Sequence, residues 1–178
     1  TNTFQIEINK NGFVTGLVDT ESKNNLVPEK NEGPLLAVVS DGQLRMPVSF
    51  KAIDETQYQL SFDKTKVQVL LNIEQKETHV SFGISSTKND DGLEAIIWGP
   101  YPTVVGETIG ENIGVVRNKD FAIGIQSLNP KTSAGKLDNI RGVTSYHGTA
   151  AEPAKFGSIL QAFAIDRTKD RSKSPWDG

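Results

Sequence analysis

Cysteine is absent from this chain of 178 residues, and the residues that carry much of enzyme chemistry are scarce: two histidines, two tryptophans, three tyrosines and one methionine. Without cysteine there is no disulfide, no thiolate metal site and no thiol redox chemistry. His79 and His147 are the only imidazoles, too few to build a multi-histidine metal centre without further ligands. No run of 18 apolar residues occurs, so no membrane-inserting segment is expected, and no signal-peptide pattern is visible. An excess of one charge is lacking too. The 19 Lys and Arg against 22 Asp and Glu leave a net charge of -3, which points away from the basic footprint of a nucleic-acid binder and from an acidic disordered tail.

What is present suits one folded domain. A chain of this length with 36% hydrophobic residues can bury one core, or form one large all-β domain, but not two comfortable ones. The sequence starts at Thr1 in a strand-like pattern, and its last stretch, "DRTKDRSKSPWDG", reads as a linker. We therefore expect a domain over 1–166, with 167–178 a linker or the start of a following region, in a piece of a longer protein.

Period-two alternation runs through most of the chain and predicts antiparallel strands. Phe4, Ile6 and Ile8 alternate with polar residues, "NKNG" offers the Asn-Gly of a two-residue hairpin, and "FVTGLVD" returns. "PLLAVVS", "DG" and "QLRMPVSF" repeat the pattern, with Pro47 marking an edge or a bulge. Tyr58, Leu60 and Phe62 share one face; so do Val67, Val69, Leu71 and Ile73, and then Val80, Phe82 and Ile84. "IGVVR", "NKD" and "FAIGIQSL" form another hairpin, with Phe121, Ile123 and Ile125 on one face. "IRGVTSY" and "SILQAFAID" supply two more strands. Paired strands with one apolar face each predict an all-β, antiparallel β-sandwich of roughly ten or more strands with little helix, at most a short turn within 104–112.

Few residues are candidates for chemistry. Glu107 and Glu111 stand four apart, so on a helical turn they would share a face, and paired carboxylates serve glycoside hydrolysis. Glycines at 106, 110 and 114 weaken such a turn, so an irregular segment is an equal alternative. "KNDDGLE" gathers Asn89, Asp90, Asp91 and Glu94, oxygen ligands of the kind calcium takes, but without the spaced acidic register of a calcium loop, and Asp-Gly is ordinary turn chemistry. The sequence contains no G-x-S-x-G, no phosphate-binding loop and no dinucleotide fingerprint, and no cofactor is expected. "NPKTSAGK", 129–136, reads as a polar connection. His79 falls opposite Val80 and Phe82 and is expected to face solvent.

Trp98, Tyr101, Arg141, Tyr146, His147 and Trp176 remain, in or near loops. Aromatic faces beside a few polar groups bind sugars by stacking and hydrogen bonding, which makes Trp98, Tyr101, Arg141, Tyr146 and His147, with Glu107, a candidate glycan-binding set. Against this, Trp98 ends the apolar run "LEAIIW" and is expected in the core. Gly99, Pro100 and Pro102 in "WGPYPT" predict a rigid corner that ends this strand with Gly99 and Tyr101 extended, leaving Tyr101 free to project outward.

The stretches "IEINKNGFVTGLVD", "GPLLAV" and "WGPYPTVVGETIGENIGVVRNKDFAIGIQSLNPKT" carry a resemblance. The chain resembles the N-terminal β-sandwich domains, of the galactose-mutarotase-like supersandwich type, of large carbohydrate-active proteins from Bacteroidetes gut bacteria. The resemblance implies a non-catalytic accessory domain, supporting an adjacent catalytic domain in the same chain, often a glycoside hydrolase, with oligo- or polysaccharide as a further partner and a periplasmic, cell-surface or secreted location. Mutarotases of this kind use histidines and a glutamate on the concave sheet face. No counterpart motif surrounds either histidine here, so epimerase activity does not carry over. The alternative is a small stand-alone sugar-acting enzyme, a glycosidase or aldose epimerase, working through Glu107 or Glu111.

Overall fold

The structure, a computed structural model, describes residues 1, 4–105, 108–109, 115–117, 122–126, 128, 132–134, 150–154 and 157–165. Every regular element among them is a strand: β1 (Phe4–Ile8), β2 (Phe13–Asp19), β3 (Gly33–Pro34), β4 (Leu36–Ser40), β5 (Gln43–Arg45), β6 (Pro47–Ala52), β7 (Gln57–Phe62), β8 (Gln68–Gln75), β9 (Val80–Lys88), β10 (Leu93–Thr103), β11 (Thr108–Ile109), β12 (Val115–Arg117), β13 (Ala122–Gly124), β14 (Thr132–Ala134), β15 (Ala150–Ala154) and β16 (Gly157–Ile165). The fold is all-β and antiparallel, as the alternation predicts.

Among the described residues four sheets form: β1-β2-β3, β6-β7-β8-β9, β11-β12-β13, and a larger one ordered β14-β16-β10-β4-β5, with β15 also alongside β16. Their inner faces share one core. Ile6, Val14 and Leu17 come to it from the first sheet, Leu60, Phe62, Val69 and Leu71 from the second, Ile123 from the third, and Leu36, Val38, Ile96 and Trp98 from the largest. Fully burying each of the aliphatic side chains contributes about 1.5–3 kcal/mol, so the strand order is held chiefly by this shared apolar surface.

Local chemistry sets the turns. Asp41 and Gly42, at φ 52 and 70, make the two-residue turn between β4 and β5, where Ser40 pairs with Gln43. Both central residues need positive φ, and Asp-Gly supplies it. The first hairpin differs from expectation. Asn9 N–H bonds the Phe13 carbonyl across Lys10, Asn11 and Gly12, so three residues close it, and Gly12 at φ 90 takes the left-handed position. The Asn9 side chain decides this, since its Oδ1 accepts from the backbone N–H groups of both Asn11 and Phe13.

Pro47 begins β6, an edge strand, and the register slips between Pro47 and Ser49, so both roles read for it from the sequence are realised. Two expectations need correction. Thr132–Ala134, inside the stretch read as a polar connection, pairs with β16, because hydrogen bonds to a neighbouring strand organise a segment that has no apolar alternation of its own. Thr108–Ile109, inside the stretch allowed a helical turn, pairs with β12. The expected strand "IRGVTSY", residue Phe121 and the boundary at 166–167 lie outside the described residues.

Candidate functional site

Strand β10 carries the residues that the sequence singled out, and its place in the fold dictates their environment. It lies between β4 and β16, with Ile96 opposite Val38 and Ala164, and Trp98 opposite Leu36 and Ala162. A strand flanked on both edges and covered on both faces should read as an unbroken apolar run. Ala95, Ile96, Ile97 and Trp98 are accordingly all buried. The indole of Trp98, 7% exposed, meets the Phe82 ring at 6.1 Å between centroids and a 58° tilt, an edge-directed geometry that aromatic pairs favour.

The corner expected at Gly99 is a bulge. β10 continues to Thr103, and Gly99 and Pro100 are inserted where the register passes from Trp98↔Ala162 to Tyr101↔Leu160. Two residues thus face one on β16. Pro100 has no N–H for the ladder, and a bulge is where a strand tolerates that loss. Gly99 is not extended: its φ is +80, the conformation that favours glycine, and the Gly99–Pro100 peptide is cis. The bulge lies against β3, where a Cβ added to Gly33 would land on the Pro100 carbonyl oxygen.

Tyr101 does not project outward. Beyond the bulge its side chain turns back to the core, and its hydroxyl donates to the Leu35 carbonyl at 2.6 Å. Leu35 joins β3 to β4, and its own N–H donates to the Gly12 carbonyl at 2.8 Å. The phenol therefore ties β10 to the segment that passes from the first sheet to the largest one. Burial of the hydroxyl raises its pKa well above the ordinary 10.0. Val14, Leu17, Val27, Gly33 and Pro102 close around Tyr101 and leave no space for a water molecule.

Of the candidate glycan-binding set, Trp98 and Tyr101 are the members among the described residues, and both serve packing. Arg141, Tyr146, His147 and Glu107 lie outside the described residues, as do Glu111 and Trp176. The strand at Thr108–Ile109 does correct the helical face proposed for the two glutamates, since a helical turn between them would run through these residues.

The acidic loop is occupied with its own turn. Asn89, at φ 51, donates from Nδ2 to the Lys66 carbonyl at 3.2 Å, and Asp90 accepts from the Thr87 hydroxyl. Glu94 Oε1 accepts from the Gly42 N–H at 2.6 Å, tying this loop to the β4–β5 turn. Among the described residues no group of three His, Asp or Glu side chains is placed to hold a metal ion. Other carboxylates also cap turns. Hydrogen bonds, chiefly from the Ser22 hydroxyl to Asp19 and from the Thr56 N–H to Asp54, hold both groups below the usual 3.8, and Lys76, by hydrogen bond and charge, lowers Glu74 from its ordinary 4.5. His79 is exposed, as its place in the alternation predicts.

No protein-family model, no curated protein and no solved structure matches this chain.

One surface escaped notice in the sequence. The residues that alternate with Tyr58, Leu60 and Phe62 on β7, and with Val69 and Leu71 on β8, are Gln57, Gln59, Ser61, Gln68, Leu70 and Asn72. The readable signal is that these outward positions are nearly all polar yet uncharged.

Proposed function

We propose that this chain is a non-catalytic β-sandwich domain of a larger carbohydrate-active protein, a glycoside hydrolase by resemblance, in which it supports an adjacent catalytic domain and contributes a surface for glycan. The observation that carries this reading is the use made of the "WGPYPT" stretch. Its aromatic residues, the best candidates for sugar chemistry among those described, are committed to the interior: Trp98 against Phe82, and Tyr101 through its hydroxyl to Leu35. A segment that stitches three strands together is suited to rigidity rather than to the ligand-driven movement of a catalytic loop. The pattern resemblance of the three quoted stretches supplies the carbohydrate context.

Two measurements test the proposal. In the longer protein, deleting residues 1–166 is expected to lower the melting temperature of the remaining catalytic domain while leaving its chemistry in place. The 178-residue chain alone is expected to turn over neither aryl glycosides nor free aldoses. Turnover that disappears in Glu107→Gln or Glu111→Gln would establish the stand-alone enzyme instead.

A further inference from the structure

We infer that the outward face of β7 and β8 is a docking platform for an uncharged polysaccharide, with Gln57, Gln59, Gln68 and Asn72 as its hydrogen-bonding groups and Leu70 as its apolar centre. This assignment rests on the carbohydrate reading above and gives that reading a location.

The register builds the platform. Gln57 stands opposite Asn72, Gln59 opposite Leu70 and Ser61 opposite Gln68, so the six outward residues of the two central strands form a grid. Its spacing is about 4.8 Å across the strands and about 7 Å along them. Asn72 in turn faces Gly83 on β9, where an added Cβ would meet only the Asn72 carbonyl at 3.9 Å, so the platform stays open on that side. Three of the chain's eight glutamines are concentrated here. Ionisable groups stand only around the grid: Lys51 on β6 opposite Gln59, Lys88 on β9 opposite Gln68, and Glu74 at the end of β8, held by Lys76 at 2.7 Å.

The hydrogen-bonding state of the amides points to the occupant. Asn72 donates to Glu74 at 3.0 Å, whereas the side-chain amides of Gln57, Gln59 and Gln68 make no hydrogen bond among the described residues. Each amide offers two donors and an acceptor with two lone pairs, and a sugar hydroxyl both donates and accepts. A polyhydroxylated neutral chain can therefore replace the water on these groups bond for bond. Covering them with an apolar protein surface would leave buried amides unpaired, at a cost of about 1–3 kcal/mol each. The aromatic, Met and Arg anchors that mark the centre of a protein interface are missing from the grid. Leu70, partly buried between Gln59 and Ser86, gives the C–H face of a sugar ring an apolar seat.

Affinity electrophoresis of the 178-residue chain through gels containing galactomannan, glucomannan, mixed-linkage β-glucan or soluble xylan, with polygalacturonate as the anionic control, tests the assignment. Retardation by at least one neutral polymer is expected. It should fall at least tenfold in apparent affinity in Gln57→Ala/Gln59→Ala/Gln68→Ala and in Leu70→Lys, and persist in Gln43→Ala on β5 of another sheet. All variants should keep the wild-type melting temperature within a few degrees, because the altered side chains are half-buried or exposed and stand outside the hydrophobic core. Retardation that survives both face variants would leave glycan binding standing and overturn this location for it. Retardation by polygalacturonate alone, or by no polymer, would overturn the platform itself, while the supporting role would still be judged by the deletion of 1–166.

Discussion

Replacing Trp98 by alanine removes the largest side chain from the centre of the core, and its cost can be argued from the neighbours. Truncating a buried aromatic costs about 3–5 kcal/mol, the spread reflecting how far the surroundings collapse into the space. Collapse is restricted here. β10 is bonded to β4 and β16 on its two edges, and Leu36 and Val38 on β4 are fully buried and already packed. About 4–5 kcal/mol is therefore expected, of which about 0.5–1.5 kcal/mol is the aromatic pairing with Phe82. Against a typical total of about 5–15 kcal/mol this is a large share. For a domain of this size it should lower the melting temperature by about 8–20 °C. Far-UV circular dichroism during heating and urea titration is the suitable assay, since the substitution removes one of two tryptophan fluorophores. A Phe82→Leu variant and the double mutant complete a cycle in which the pairing should show positive coupling. A melting point within about 3 °C of wild type would refute the buried placement of Trp98.

Tyr101→Phe should cost about 1–3 kcal/mol, because Leu35 would keep only a long approach from the Gly99 N–H at 3.5 Å; an unchanged urea midpoint would remove the hydroxyl from the account. The same residue predicts a pH dependence. Burial raises the phenol pKa above 10.0, so beyond about pH 10 the unfolded chain releases this proton and the native chain keeps it. Its contribution is complete below pH 10 and is lost above, by up to about 1.4 kcal/mol per pH unit, and Tyr101→Phe should flatten that slope in urea titrations between pH 8 and 11. Gly33→Ala should destabilise by at least the 1–3 kcal/mol or so typical of overpacking, since the obstacle is the Pro100 backbone; a neutral result in thermal melts would place β3 farther from the bulge. Asp54 accepts from the backbone N–H groups of Thr56 and Gln57 at 2.8 and 2.7 Å, which favours its charged form. Its carboxyl should titrate below 3.8 by NMR, and what it adds to the β6–β7 turn should be present above that pH and lost as pH falls through the lowered value; a midpoint at or above 3.8 would contradict the cap.

Much of the architecture is written in residue order. Leu60, Phe62, Val69 and Leu71 are core because alternation in an extended chain puts every second side chain on one face, a rule that needs no knowledge of the partner sheet. Asp41–Gly42 closes a hairpin for an equally local reason, and Trp98 follows from the apolar run that precedes it. Tertiary structure decided the rest. Whether "WGPYPT" ends a strand or bulges within one depends on β16 resuming its register past Gly99 and Pro100, a contact about sixty residues away in sequence that no local propensity encodes. The inward turn of Tyr101 required the Leu35 carbonyl to be waiting 66 residues earlier in the chain. Thr132–Ala134 became a strand only because β16 offered an edge. The amide platform is the same case on the surface: Gln57, Gln59, Gln68 and Asn72 look like ordinary polar alternation until antiparallel register sets β7 beside β8 and makes one face of them.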